Sequence, residues 1–211
     1  MFSKLQYFRR HKMAELKLFN RWGFDVEVKD PGLKPYINLK PTIIPKTGGR
    51  HSQQQFYKSK MNIVERFVNK LMIPGHRGKK HLISSGRNIG KTQTIFNIVK
   101  EVFEKLEKKT NKNPIEILVR AIENAALREE ISSYRMGGMM VRKAVITSPQ
   151  RRVDTALTLI TQSAYRKSFG KKVSMADALV NEIFHAYQND ASKSEAIREK
   201  ERTEREAGGA R

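Results

Sequence analysis

The sequence predicts a mainly α-helical protein: a bundle of about six helices with a protruding β-hairpin between the third and fourth helices, plus an extended basic N-terminal segment. Three observations predict this architecture. Apolar residues recur at helical spacing after residue 60, a glycine pair divides a strand-like run near residue 137, and prolines are frequent before residue 50. We divide the chain into an extension at 1–60, a helical domain at 61–191 with its hairpin at about 131–147, and a charged tail or helix at 192–211.

The N-terminal extension is rich in residues that oppose regular structure. Prolines stand at 31, 35, 41 and 45, and Gly48-Gly49 follows them. Proline removes a backbone N–H and blocks helix, so the segment is expected to be extended and loop-like. Its positive charge suggests that it becomes ordered only against a partner; the alternative is a disordered tail that makes no contacts.

Three helices are predicted between the extension and the hairpin. The first begins near Ile63 and ends before Pro74-Gly75, and the second follows a basic loop. Asn113, Pro114 and Glu116 form an N-terminal capping signature for the third. Their inward faces consist of Ile63, Val64, Phe67, Val68, Leu71 and Met72, then Ile95, Ile98, Val99, Val102, Phe103 and Leu106, then Ile115, Leu118, Val119 and Ile122.

The remaining helices are predicted from their caps. Ser148 and Pro149 open a fourth helix that runs to about Phe169, and Ser174 caps a fifth. The inward residues of these two helices are Val153, Ala156, Leu157, Ile160 and Ala164, then Leu179, Ile183, Phe184 and Tyr187. The last segment is charged on all sides apart from Ala196-Ile197, which predicts a helix lying on another molecule.

The predicted hairpin is basic. Gly137-Gly138 suits a tight turn because glycine adopts positive φ without steric cost. Between Arg135 and Val153 no acidic residue occurs. We interpret the run as a basic hairpin directed at a phosphate backbone; a solvated loop with incidental charge is the alternative. The cationic residues of the hairpin and of the helix start that follows it are Arg135, Arg142, Lys143, Arg151 and Arg152.

The net charge points to a polyanionic partner. The chain carries 42 Lys and Arg against 21 Asp and Glu, a net charge of +21. Residues 31–60 hold six basic and no acidic groups, 61–93 hold seven against one, and 135–173 hold nine against one. These blocks, separated by a neutral helical block, suggest two arms of one binding face. Nucleic acid is the first candidate and an anionic membrane surface the second.

Catalytic and metal sites are not indicated. The chain has no cysteine, which excludes disulfides, thiolate zinc sites and a cysteine nucleophile. Gly86 to Thr92 is similar to a phosphate-binding loop, but only three residues separate its glycines where four are needed. The histidines, which stand at 11, 51, 76, 81 and 185, show no metal spacing. No apolar run approaches the ~20 residues of a membrane span. We therefore expect no cofactor, no metal, no membrane and no enzymatic activity, and a cytoplasmic location.

Several ordered motifs together resemble a known family. They are KLFNRWGFDVEVKDPGLKPYINLKP from Lys17, GGRH from Gly48, IVERFVNKLM from Ile63, NPIEILVRAIENAA from Asn113 and SPQRRVDTALTLI from Ser148. From about Leu18 to the C-terminus the chain resembles the small-subunit ribosomal protein S seven family in its archaeal and eukaryotic-type form. The resemblance implies a helical fold with a protruding ribbon between the third and fourth helices.

The resemblance also implies a function and its partners. The expected role is a structural constituent of the small ribosomal subunit that binds the rRNA of the subunit head and helps nucleate head assembly. The ribbon is expected near the exit-site tRNA and the mRNA path, beside neighbouring head and platform proteins. The rival hypothesis, an architectural DNA-binding protein, uses the same basic hairpin and is not separated from this one by charge.

Site residues follow from the charge pattern together with the family motifs. The family's Gly-Lys-Lys turn falls on Gly90-Lys91-Thr92, where Thr92 replaces a basic residue, and Leu127 replaces the usual proline. The expected rRNA-binding residues are Arg50, Lys58, Lys60, Arg77, Lys79, Lys80, Arg87, Asn88, Lys91, Arg151 and Arg152. The expected hairpin residues near tRNA and mRNA are Arg135, Gly137, Gly138, Arg142 and Lys143.

Overall fold

Six α-helices, three short 3₁₀ helices (Lys34–Tyr36, Arg50–Ser52 and Tyr57–Lys60) and one β-hairpin form the regular structure of residues 16–75 and 88–210, the parts of the chain that this computed structural model describes. The elements in chain order are α1 (Ile63–Leu71), α2 (Thr92–Thr110), α3 (Pro114–Ala125), β1 (Glu129–Met136), β2 (Met139–Ile146), α4 (Pro149–Ser168), α5 (Met175–Tyr187) and α6 (Glu195–Gly208). The predicted mainly helical fold, with its hairpin between the third and fourth helices, is confirmed.

Helix α5 lies at the centre of the bundle. It contacts α2, α3, α4 and α6. Its buried face includes Ala176, Ala178 and Ala186, and such small side chains let the neighbouring helices approach closely. Helix α3 is buried more completely than its predicted stripe, since Ile117 is as inaccessible as Leu118.

The N-terminal segment departs from the sequence-based expectation. We expected residues 1–60 to become ordered only against a partner, and this is wrong for the stretch from 18 to 37. Its apolar side chains belong to the same core as the helices; they are Leu18, Trp22, Phe24, Val28, Leu33 and Ile37. The Trp22 ring meets Phe103 of α2 edge to face, with the centroids 5.6 Å apart. Burial of these side chains stabilises the segment, at about 25 cal/mol per Å² of apolar surface. The domain boundary at residue 60 remains a prediction.

The predicted caps are confirmed for two helices and corrected for a third. Asn113 Oδ1 accepts a hydrogen bond from Ile115 N (3.0 Å) at the start of α3, and Ser174 Oγ accepts one from Asp177 N (3.0 Å) at the start of α5. Ser148 occupies the N-cap position of α4, but its hydroxyl makes no cap hydrogen bond. Pro149 begins this helix with a preset φ and no N–H to satisfy, so the helix starts without that bond.

Helix α6 packs on the protein's own body. We predicted a helix lying on another molecule, but α6 contacts α4, α5 and both strands, and its Ala196, Ile197 and Ala207 are buried. Glu195 in the first turn of α6 forms an ion pair with Arg166 of α4. The charged helix therefore completes the bundle.

Candidate nucleic-acid interface

The hairpin is a regular two-stranded ribbon with a two-residue turn. Met136 pairs with Met139, which leaves Gly137 (φ 56°) and Gly138 (φ 83°) as the turn residues. Two successive positive φ values define the type I′ turn that matches the twist of a hairpin, and they explain why glycines stand there. The ribbon is anchored at its base, where Arg128 N donates to Glu204 Oε1 of α6 (2.9 Å).

The three hairpin cations occupy both faces of the ribbon. Residues that pair across the strands share a face, and successive residues alternate between faces. Arg142 pairs with Ser133 and therefore lies on the same face as Arg135, whereas Lys143 lies on the opposite face. All three side chains are exposed, and none makes an ion pair or hydrogen bond within residues 16–75 and 88–210. These cations are therefore available to phosphates.

The tip of the ribbon is apolar, which our sequence analysis missed. Met136, Met139 and Met140 flank the turn and are 65%, 73% and 61% exposed. Three long, flexible thioether side chains in water at a loop tip form an adaptable contact surface. The signal was present in the sequence, since methionines directly flank the glycine pair, but we treated them only as strand residues.

The paired arginines at the start of α4 have different environments. Arg151 is 61% exposed and binds Glu130 of β1 through two contacts, Nε to Oε1 (2.6 Å) and Nη2 to Oε2 (2.8 Å). The hydrogen bonds to Glu130 raise the pKa of Arg151. Arg151 thus connects the ribbon to α4, and most of the Arg151 side chain is exposed to solvent.

Arg152 is mostly enclosed. Its Nη2 contacts Asp30 Oδ2 (2.9 Å) and its Nε donates to the Leu127 carbonyl (3.1 Å). Burial acts to raise the pKa of Asp30, but hydrogen bonds from Gly32 N–H and Arg152 lower it overall. Arg152 therefore ties the N-terminal segment to the beginning of α4, and Leu127, which stands at the family's proline position, supplies one of its acceptors.

The basic segment at 31–60 reaches the same end of α4. Lys58 Nζ lies 2.8 Å from Asp154 Oδ2, and Arg66 Nη2 lies 3.1 Å from Asp154 Oδ1. Burial acts to raise the pKa of Asp154, but Lys58 and Arg66 lower it overall. The two basic blocks that we expected to form one face therefore meet at the first turns of α4.

The structure describes four of the remaining predicted rRNA-binding residues. Lys60 Nζ lies 3.9 Å above the Tyr57 ring, a cation–π contact, and Arg50 is exposed. Asn88 is buried, and Lys91 is exposed at the start of α2. Arg77, Lys79, Lys80 and Arg87 lie outside the described residues.

A concave surface with a volume of about 1,020 Å³ also carries cations, but these differ from the ribbon cations in having partners within the protein. Its cations are mostly engaged within the protein: Arg120 pairs with Glu123 (2.6 Å), Lys112 donates to the Tyr187 hydroxyl (3.1 Å), and Lys200 donates to the Asn124 carbonyl (2.7 Å). Burial lowers the pKa of Lys200. These charges hold neighbouring elements together and leave the ribbon as the more available cationic surface.

Residues 16–75 and 88–210 contain neither a metal-binding cluster nor a membrane-spanning helix. No cluster of three or more histidine and carboxylate side chains there is arranged to hold a metal ion. No helix in those two ranges is both long and apolar enough to cross a bilayer.

Comparison with known proteins agrees with the sequence motifs. Residues 33–211 match the model of the family described as ribosomal protein S7p/S5e. The chain is 46% identical over 198 residues to the small ribosomal subunit protein uS7 of Nanoarchaeum equitans, an alignment that covers 93% of this chain and all of the relative. It is 44% identical to the uS7 protein of Methanothrix thermoacetophila over 197 residues, which are 93% of this chain and all of the relative. For Archaeoglobus fulgidus uS7 the identity is 46% over 198 residues, 93% of this chain and 96% of the relative.

Proposed function

The chain belongs to the ribosomal protein S7p/S5e family, a non-enzymatic structural component of the ribosome, and on this premise we propose that it binds the rRNA of the small-subunit head. In this proposal it helps nucleate head assembly in the cytoplasm, and its ribbon lies near the exit-site tRNA and the mRNA path. The small-subunit role is supported by the relatives that the chain matches over 93% of its length, which are small ribosomal subunit proteins uS7.

One observation carries the RNA-binding proposal. Arg135, Arg142 and Lys143 are exposed on a ribbon that projects from the bundle, and no carboxylate within the described ranges pairs with them. Cations that neutralise phosphates release the counterions condensed on the nucleic acid, which stabilises the complex and makes its affinity depend on salt. A ribbon also reaches grooves and junctions of a folded RNA that a helical bundle does not enter.

Salt titration tests the role of these cations. The triple variant Arg135→Ala, Arg142→Ala and Lys143→Ala should bind a transcript of the small-subunit head rRNA more weakly than the wild type. If each side chain neutralises one phosphate of a single-strand-like segment, the log–log slope of affinity against salt should fall by about 2. Filter binding at several potassium concentrations measures it.

A control variant has the same loss of charge. Arg21, Lys105 and Arg202 are also cationic, but each already pairs with carboxylates of this protein. Replacing all three by alanine should leave the salt slope close to that of the wild type. An equal fall in both triple variants would show that net charge rather than the ribbon governs binding, and would contradict the proposal.

The position near tRNA and mRNA has its own test. A photoreactive amino acid that replaces Met139 at the ribbon tip, in reconstituted small subunits carrying mRNA and tRNA, should crosslink to one or both of them. Crosslinks to rRNA alone would contradict that part of the proposal.

The architectural DNA-binding hypothesis is distinguished by competition. The ribosomal role requires that the full chain prefers the head rRNA transcript to duplex DNA of equal length at the same salt concentration. Equal affinity for both would favour the rival.

A further inference from the structure

A pocket lies where the basic segment meets the start of α4. It has a volume of about 630 Å³, within the range of roughly 300–1,000 Å³ that is typical of small-ligand sites. Its walls come from both cationic regions: Tyr36 and Phe56 belong to the N-terminal segment, Gln150 and Arg151 to the start of α4, and Lys70 to α1.

Phe56 is an unusual wall residue. Its side chain is 68% exposed, and its backbone is left-handed, with φ 64° and ψ −1°. Positive φ is uncommon for a bulky residue, and such conformations concentrate at functional sites. The Phe56 carbonyl accepts hydrogen bonds from Ser59 N (3.2 Å) and Ser59 Oγ (2.9 Å), which hold this backbone in place. The protein thus keeps an aromatic ring in water at the edge of a cavity.

The polar groups of the pocket suit an anionic, planar ligand. Lys70 is partly buried. Burial lowers the pKa of Lys70, the neighbouring cations Lys58 and Arg66 lower it further, and Asp154 acts in the opposite direction. The Asp154 carboxylate is already bound by Lys58 and Arg66, so its repulsion of an anion is weakened. Gln150 Oε1 is inaccessible to solvent and has no hydrogen-bond partner within the described ranges.

From this arrangement we infer that the pocket receives one unpaired nucleotide of the bound rRNA, with its base stacked on Phe56 and its phosphate beside Lys70 and Arg151. The inference rests on the proposed function and adds a position to it. Proteins recognise single-stranded RNA by stacking splayed-out bases on aromatic side chains, and any base offers a π-face for this contact. A buried apolar peptide side chain would use Phe56 and Tyr36 but would make no use of the positive charges of Lys70 and Arg151.

Substitution of Phe56 separates stacking from charge. Phe56→Ala should weaken binding of the head rRNA transcript by about five- to one-hundred-fold, the loss expected for one stacked base. The salt slope should stay unchanged because no phosphate contact is lost. Phe56→Leu, which keeps an apolar side chain without a π-face, should lose nearly as much affinity as Phe56→Ala.

Phe56→Trp gives a direct optical signal. The variant should bind like the wild type, and the emission of its new indole should be quenched when the transcript is added. Trp22 is 4% exposed and supplies a constant background. The matched control is Phe169→Ala, another exposed aromatic at the opposite end of α4, about 30 Å away along a 20-residue helix. It should bind like the wild type.

The outcomes distinguish the pocket from the function on which it rests. If the wild-type chain shows no preference for the rRNA transcript, both the proposed function and the pocket are overturned. If the wild type binds while Phe56→Ala binds equally well and ultraviolet crosslinking of the wild type yields no Phe56–nucleotide adduct, the pocket alone is overturned. Wild-type affinity of Phe56→Leu together with weak binding of Phe56→Ala would indicate apolar contact without a stacked base, which also overturns it.

Discussion

Replacing Asp154 by asparagine should destabilise the fold because this carboxylate compensates a buried cation. Asp154 accepts Arg66 Nη2 at 3.1 Å and Lys58 Nζ at 2.8 Å. The Arg66 side chain is only 1% exposed, and its Nη1 donates to the Tyr36 carbonyl (2.9 Å). Asparagine keeps the shape and one acceptor oxygen but removes the charge, which leaves a guanidinium enclosed without a counterion.

The magnitude follows from burial. Removing one partner of a buried ion pair costs about 3–5 kcal/mol, because the remaining charge stays desolvated. Since the asparagine oxygen still accepts a hydrogen bond, we expect Asp154→Asn to lower the free energy of unfolding by about 3 kcal/mol. Asp177→Asn is the matched control: Asp177 also pairs with a lysine, Lys105 (2.6 Å), but its side chain is 50% exposed, so the loss should be below about 1 kcal/mol.

Urea denaturation near neutral pH and again in acid provides the assay. The pKa of Asp154 is lower in the folded protein than the ordinary value of 3.8, so its stabilising contribution is complete above 3.8 and disappears as the pH falls through the folded pKa. The difference in unfolding free energy between wild type and Asp154→Asn should therefore be largest near neutral pH and shrink below 3.8. A difference under about 1 kcal/mol at neutral pH, or one that does not change in acid, would refute this reasoning.

Two further substitutions test other parts of the structure. Gly138→Ala should strain the ribbon turn, where φ is 83°, by about 1 kcal/mol, and amide exchange at the ribbon tip should accelerate. The control is Gly208→Ala in α6, whose added Cβ meets nothing within 4 Å. It should leave amide exchange at the tip unchanged. Glu182→Ala should lower the unfolding free energy by about 3–5 kcal/mol. The buried Glu182 carboxylate accepts hydrogen bonds from Ser194 Oγ (2.8 Å) and Ala196 N (2.9 Å) and pairs with Lys167, and all three contacts would be lost. An unchanged thermal midpoint would contradict this prediction.

Helix positions and the ribbon turn were predictable because local physics determines them. A helix that packs on one side places its apolar residues three or four apart, as Ile115, Leu118 and Ile122 show in α3. The glycine pair was equally informative, since a type I′ turn requires positive φ at both positions. These signals lie within a few residues of one another in the chain.

The roles of individual charges were not predictable, because they depend on partners that are distant in sequence. Arg151 and Arg152 are adjacent, but successive helical residues point about 100° apart, so one meets Glu130 and the other meets Asp30, which is 122 residues away. The buried N-terminal side chains were missed for a related reason. Leu33 and Ile37 lie in a proline-rich segment without regular periodicity, so only the packed bundle shows that they belong to the core.

The distribution of ion pairs explains how a chain of net charge +21 forms a stable bundle. Carboxylates are placed where cations are enclosed, as with Asp154 beside Arg66 and Asp30 beside Arg152. The cations of the ribbon, such as Arg142, have no carboxylate partner within the described ranges and lie on an element that projects from the bundle. Salt screens exposed charges far more than enclosed pairs. If the ribbon binds rRNA as proposed, ionic strength therefore weakens that binding while the internal pairs keep the bundle intact. The separation of enclosed pairs from exposed cations therefore lets binding respond to salt without a matching loss of fold.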